Sequence, residues 1–186
     1  HPNDHVNCSQ STNDAYPISI KLAVLLSNRE MARAMEELRQ ALELKAEEFS
    51  DVLKMGRTEN QDAVPMTLGQ EFGAYAVMVG SAIAAIERAA YEFLAINMGA
   101  TAIGTGINSP PGYANLVTEK LSEVSGFELR RAENLVEATQ NAGTFVQMSA
   151  TLKRSAVQIS KICNDLRWLS SGPRCGLNEL NLPPMQ

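Results

Sequence analysis

Two short stretches hold more hydrogen-bonding side chains than local structure needs. In "HPNDHVNCSQSTND", Ser9, Gln10, Ser11, Thr12 and Asn13 run consecutively, and in "GRTENQDAVP" (56–65) Thr58, Glu59, Asn60, Gln61 and Asp62 do the same. Each stretch precedes a long helical pattern. A helix start offers free backbone N–H groups and a positive dipole end. Hydroxyl and amide side chains there can cap the helix, or join those N–H groups in holding a carboxylate. Capping consumes one or two such groups, not five, so both readings stay open for the first stretch. The second reads as a loop plus cap, with Asp62 or Thr67 bonding the helix that follows and a carboxylate, Glu59, at its centre.

Other chemistry-bearing residues are less directed. His1 and His5 have an i, i+4 spacing but no third ligand motif, so no metal site is expected. "GATAIGTGIN" is glycine-rich but lacks the G-K-[ST] of a phosphate loop and follows no strand, so close backbone packing explains its glycines better than a nucleotide does. Cys8, Cys163 and Cys175 are an odd number at wide spacing with no CxxC pair; they read as reduced, half-buried thiols of a cytoplasmic protein. In "SSGPRCGLNE", Gly172-Pro173 ends a helix and Arg174 is a loop cation. The eight Met suit adaptable core filling. No Ser-His-Asp arrangement can be assigned, and no cofactor is expected. A binding-only or structural helical bundle therefore stays open on these residues alone, although such a bundle has little use for so many uncommitted polar groups.

The elements that must position these groups are helical. Apolar residues recur at alternating spacings of four and three: Met31, Met35, Leu38, Leu42, Phe49, Val52; then Leu68, Phe72, Tyr75, Val79, Ala82, Ile86, Ala89, Phe93; then Phe145, Met148, Leu152, Ser155, Ile159, Ile162, Leu166, Leu169. Three such stripes predict an all-α bundle of long helices packed at small angles. Helices are expected over 14–54, with Pro17 in the first turn, over 66–96, over 112–124, and from near Arg131 to the "SSGPRCG" stretch, with 98–113 as a connector. Helices this long have few lateral partners in one small chain, which predicts association with other chains or with further segments.

Composition narrows the class. With 186 residues, 45% hydrophobic and 20% charged, the chain can bury one sizeable core. A net charge of −5 without a basic block argues against nucleic acid. No uninterrupted apolar run approaches the roughly 18–20 residues of a membrane span, and no secretory h-region is seen, so no membrane partner is expected. The chain starts without Met and stops in "NLPPMQ", which reads as a piece of a longer protein.

Taken together, "HPNDHVNCSQSTNDAYP", "GRTENQDAVPMTLGQEF", "GATAIGTGINSPPGY" and "KICNDLRWLSSGPRCGLNELNLPPMQ" resemble the aspartase/fumarase superfamily across essentially the whole chain. "STNDAYP" is more similar to the aspartase branch than to class II fumarases, which tend to read "SSNDTFP". The resemblance implies that residues 1–186 are the central helical domain of a homotetramer whose active sites are shared among three subunits. It also implies a reversible anti elimination of ammonia from L-aspartate to give fumarate, through an aci-carboxylate that needs preorganised donors. On that resemblance Ser11 and Thr12 bind the β-carboxylate, Asn13 the amino group and Thr58 the α-carboxylate. Glu59 stands where many members have His and some have Gln. His1, Asn3 and Asp4 match a second, non-catalytic carboxylate site. The base serine belongs to a loop expected after Gln186, so residues 1–186 hold binding groups and scaffold but no base. A class II fumarate hydratase of the same fold and a non-catalytic helical assembly protein are the alternatives.

Overall fold

The computed structural model describes residues 1–184, with Asn3 in its backbone only. Helices dominate: α1 (Thr12–Glu48), α2 (Leu68–Tyr91), α3 (Tyr113–Ser125), α4 (Leu135–Gln140) and α5 (Gly143–Leu169). The few strands are β1 (Leu53–Thr58) and β2 (Gln61–Thr67), an antiparallel hairpin, and the two-residue β3 (Ala95–Ile96) and β4 (Arg130–Arg131), paired in parallel. The chain divides into two compact units: His1–Met31 with Ile86–Ser149, and Ala32–Ala85 with Ala150–Gln186.

In the first unit the core is Ile18 and Leu25 of α1, Ala89 and Ala90 of α2, Phe93, Ile96, Met98, Phe127, Leu129 and Met148. Phe93 and Phe145 meet edge to face with centroids 5.2 Å apart, the arrangement ring quadrupoles favour. In the second unit Phe72 lies between Phe49 and Tyr75, again edge to face on both sides. The predicted α2 stripe is buried at all eight positions, Leu68 to Phe93. The other two stripes are buried only in part: Leu38, Val52 and Leu152 are exposed.

Four expectations need correction. The stretch 56–65 is a hairpin, not a loop. Glu59 (φ 50°) and Asn60 (φ 63°) form its turn between the paired Thr58 and Gln61, and positive φ at both central residues matches the strand twist. A bulge falls where Gly56 faces Ala63 and Val64, and there a Cβ would lie 2.9 Å from the Val64 carbonyl oxygen. The last long helix does not start near Arg131. Arg130–Arg131 are a strand, Asn134 caps α4 by accepting from the Val136 and Glu137 N–H groups, and α5 begins afresh after Asn141, whose Oδ1 accepts from Gly143 N at 2.7 Å. The three cysteines are free but exposed rather than half-buried, because they fall off the buried stripes. Finally, one helical stretch, Leu68–Leu94, is long and apolar enough to cross a membrane, with mean hydropathy 1.2. Counting uninterrupted apolar runs misses it because Glu71 on one side and Glu87 and Arg88 on the other bound the run. Its stripe is buried within the protein's own core, the pattern of an interior helix.

Candidate functional site

The first polar stretch enters α1 through a reciprocal cap. Ser11 Oγ accepts from Asn13 N at 3.1 Å, and Asp14 Oδ1 accepts from Ser11 N at 2.8 Å. This is the S-x-x-D form of a capping box. Ser11 therefore does cap. Its hydroxyl accepts in that role, which leaves its O–H free to donate. Thr12 is the first residue of α1; its hydroxyl is exposed and makes no hydrogen bond among the described residues. A cleft of ≈ 360 Å³ opens beside them, lined by Asn7, Gln10, Ser11, Thr12, Ala15 and Tyr16.

Asn13 is held at both ends. Its Nδ2 donates to the Ala102 carbonyl at 2.7 Å, and a carbonyl can only accept, so the amide orientation is fixed with Oδ1 left as an acceptor. Its backbone carbonyl would normally bond the N–H four residues on. That residue is Pro17, which has none; Pro17 lies inside α1 rather than in its first turn, because the helix begins at Thr12. Asn97 takes up the freed carbonyl, its Nδ2 donating to Asn13 O at 3.2 Å and to Thr139 Oγ1 at 3.0 Å. Asn97 is 1% exposed and its Oδ1 has no partner among the described residues.

Asp14 is fully buried. Besides Ser11 N, its Oδ1 accepts from Ala15 N at 2.7 Å, and its Oδ2 accepts from Thr101 N at 3.0 Å. Thr101, in the connector 97–112, sits at φ 61°, an uncommon conformation for a β-branched residue. The connector's glycines serve close approach: a Cβ on Gly104 (φ 97°) would fall 2.3 Å from the Val136 Cα. Lys21, on the same helix, donates to the Ala95 carbonyl at 2.6 Å; burial pulls its pKa down, against the opposing pull of Glu137. Of the second trio, His1 Nδ1 lies 3.2 Å from Asp4 Oδ2 and both side chains are exposed, while the Asn3 side chain lies outside the described residues.

In the second unit Thr58 and Glu59 occupy the hairpin tip, both exposed. Glu59 makes no ion pair or hydrogen bond among the described residues, so its carboxylate is uncommitted at the tip. Below the tip the hairpin is pinned by charge. Lys54 pairs with Glu71 and lies 3.1 Å from Glu179 Oε2; Arg57 bonds Glu179 and lies 3.6 Å from Asp62. Burial raises the Glu179 pKa, but contacts with Arg57 and Lys54 outweigh it and hold the carboxyl below its usual range. The Tyr75 hydroxyl lies 3.1 Å from Glu71 Oε1 and 3.0 Å from Asp165 Oδ2; burial first, then these two carboxylates, push its pKa up. A cavity of ≈ 210 Å³ is walled by Glu59, Asn60, Arg57, Lys161, Asp165 and Trp168, among others. Thr67, not Asp62, caps α2: Thr67 Oγ1 accepts from Gln70 N at 3.1 Å, and Gln70 Oε1 accepts from Thr67 N at 3.0 Å.

Sequence reasoning passed over Asp14, Asn97, Thr101, Lys54, Arg57 and Glu179. The S-x-x-D spacing signals half of Asp14's role. The remaining contacts join residues 42 or more apart, or, for Lys54 and Arg57, involve a hairpin read as a loop. Among the described residues no group of His, Cys, Asp and Glu could hold a metal.

Comparison with known proteins gives the context. The chain is 56% identical over 185 residues to the aspartate ammonia-lyase of Escherichia coli (strain K12), covering 100% of this chain and 39% of that protein. It is 57% identical over 186 residues to the aspartate ammonia-lyase of Helicobacter pylori (strain ATCC 700392 / 26695), covering 100% of this chain and 40% of that protein. It thus spans about two fifths of the length of these curated relatives. Among solved structures, the fumarate lyase:delta crystallin from Brucella melitensis bound to cobalt superposes with a TM-score of 0.98 at 52% identity, over 100% of this chain and 40% of that one. The class II fumarase from Schistosoma mansoni superposes with a TM-score of 0.93 at 32% identity, over 100% of this chain and 42% of that one. The family model described as "Lyase" matches residues 1–186, and the chain belongs to that lyase family.

Proposed function

We propose that this chain is the substrate-binding and tetramer-forming part of an aspartate ammonia-lyase, a cytoplasmic carbon–nitrogen lyase that reversibly eliminates ammonia from L-aspartate to give fumarate. The observation that carries the reading is the order of free groups at the start of α1, where two hydroxyl donors, Ser11 and Thr12, precede one amide acceptor, Asn13 Oδ1. Two donors suit a carboxylate that gains charge as the C3 proton leaves, and an outward acceptor suits an ammonium. The relatives named aspartate ammonia-lyase support the same reading at 56–57% identity.

In this mechanism Ser11 and Thr12 bind the β-carboxylate and stabilise the dianion formed on proton abstraction. Asn13 orients the amino group, Thr58 takes the α-carboxylate, and Glu59 adds negative charge on the side from which the ammonium leaves. The base serine comes from a loop following Gln186, and His1, Asn3 and Asp4 form an accessory carboxylate site. Each active site draws on three subunits of the homotetramer. Val77 (72% exposed), Val124 (86%) and Val157 (61%) are apolar helix residues that such an assembly would cover.

A hydratase of the same fold is the second reading, favoured by the likeness to the class II fumarase. The test is the full-length protein with L-aspartate or L-malate, following fumarate by its ultraviolet absorbance. Fumarate from aspartate supports the lyase; fumarate from malate alone supports the hydratase; fumarate from neither overturns both.

A further inference from the structure

We propose that Asp14 is a positioning residue for amine recognition: by tying the connector to the start of α1 it holds the Ala102 carbonyl where it fixes the Asn13 amide with its oxygen outward. The proposal rests on the lyase reading above, and it adds a residue that need not touch substrate.

The geometry is a chain of four hydrogen bonds within one compact unit. Asp14 Oδ2 accepts from Thr101 N at 3.0 Å. One residue further on, the Ala102 carbonyl accepts from Asn13 Nδ2 at 2.7 Å. Asp14 Oδ1 holds Ser11 N at 2.8 Å, and Asn97 Nδ2 holds the Asn13 carbonyl that Pro17 leaves free, at 3.2 Å. Asn13 is therefore gripped by backbone and side chain, and the side-chain grip depends on where residue 102 sits. Thr101 adopts φ 61°, which a β-branched residue leaves readily unless its N–H is held. The bond to Asp14 is that hold. Of the three backbone N–H groups this buried carboxylate accepts, Ala15 N also reaches the Ser11 carbonyl at 2.9 Å, whereas the Ser11 and Thr101 N–H groups depend on the carboxylate and would be left unsatisfied without it.

An outward Oδ1 discriminates between ligands. It accepts from an ammonium, and it has nothing to accept from fumarate, which carries no such donor. Were the connector to shift, the Asn13 amide could turn, presenting its NH₂ and opposing an ammonium. Asp14 would then govern affinity for the amino acid and leave affinity for the alkene dianion largely to Ser11 and Thr12.

The amide variant Asp14→Asn separates these functions. Its single acceptor can keep Ser11 N and Ala15 N, preserving the cap, but its NH₂ then faces the Thr101 N–H, donor against donor. In the full-length protein we expect KM for aspartate to rise about tenfold, the scale of one charge-assisted hydrogen bond, with the inhibition constant of fumarate changed less than about threefold. Amide hydrogen exchange at Thr101 should accelerate while that at Ser11 stays protected. Thr101→Gly, which keeps the N–H and relieves the positive φ, should leave the aspartate-to-fumarate ratio at its wild-type value. Equal weakening of both ligands in Asp14→Asn, or unchanged exchange at Thr101, overturns the proposal. If Asp14→Asn does not fold, Asn13→Asp decides: a carboxylate cannot donate to the Ala102 carbonyl, so faster exchange in the connector supports the coupling and unchanged exchange overturns it. Wild-type protein that makes no fumarate from aspartate sinks the lyase reading separately, since the exchange measurements do not depend on turnover.

Discussion

Ser11 and Thr12 are adjacent hydroxyls with different local duties, and replacing each in the full-length protein should show it. Ser11→Ala removes the acceptor of Asn13 N, a cap bond of 3.1 Å. The backbone N–H of residue 11 still reaches Asp14, so only one half of the reciprocal cap is lost. The expected cost is about 1 kcal/mol, within the roughly 0.5–2 kcal/mol of an N-cap deletion. Thr12→Val removes a hydroxyl that makes no hydrogen bond among the described residues, so stability should change by less than about 0.5 kcal/mol. Catalysis should rank the pair differently. If both hydroxyls donate to the developing dianion, each variant should lower kcat/KM by about 10²–10³, equivalent to roughly 2.7–4 kcal/mol of transition-state stabilisation. Denaturant unfolding gives the first quantity and fumarate absorbance the second. Early unfolding of Thr12→Val with full activity per folded molecule would refute the assignment of capping to Ser11 and of binding to Thr12.

Glu59→Gln should weaken aspartate binding with fumarate affinity nearly unchanged, measured by KM and by competitive inhibition; equal loss for both removes Glu59 from the amino-group side of the site. Glu59→Gly should instead raise stability by up to about 1 kcal/mol, because glycine carries no side-chain penalty at φ 50°. Glu179→Ala removes the hydrogen-bonded carboxylate of the largely buried Arg57 and one of the two carboxylates beside Lys54, which keeps Glu71, and should cost about 2 kcal/mol in denaturant unfolding. Since the Glu179 pKa is held down in the folded state, its contribution is complete above the ordinary carboxylate range and is lost as pH falls through the depressed value; Glu179→Gln should flatten that acid limb of stability against pH. Gly104→Ala, whose Cβ would overlap the Val136 backbone at a φ of 97°, should cost about 3 kcal/mol or more by the same measurement.

Long periodic elements were legible in the sequence because periodicity survives averaging over many residues. The α2 stripe is the clearest case, buried from Leu68 to Phe93. The hairpin was not legible for local reasons. Its strands show no clean apolar–polar alternation, β2 being exposed at five of its seven positions, Pro65 argues against a strand, and Glu-Asn is not the usual pair for such a turn. The break between α4 and α5 was hidden because the polar residues around Asn141 serve equally well on a helix surface or as a cap. At the candidate site, the clustering of Ser11, Thr12 and Asn13 could be read directly. What holds them could not: Asp14 and Thr101 are 87 positions apart, as Arg57 and Glu179 are 122 apart, and nothing in either local sequence marks the other.

The hairpin also comes with an optical reporter. Trp168 is the single tryptophan, and the Arg57 guanidinium lies 5.5 Å from its ring centroid, in the wall of the cavity that Glu59 and Asn60 share. Indole emission responds to the polarity and charge around it. The intrinsic fluorescence of the chain is therefore a direct readout of how the Thr58–Glu59 tip is seated, with no label attached and no substrate consumed.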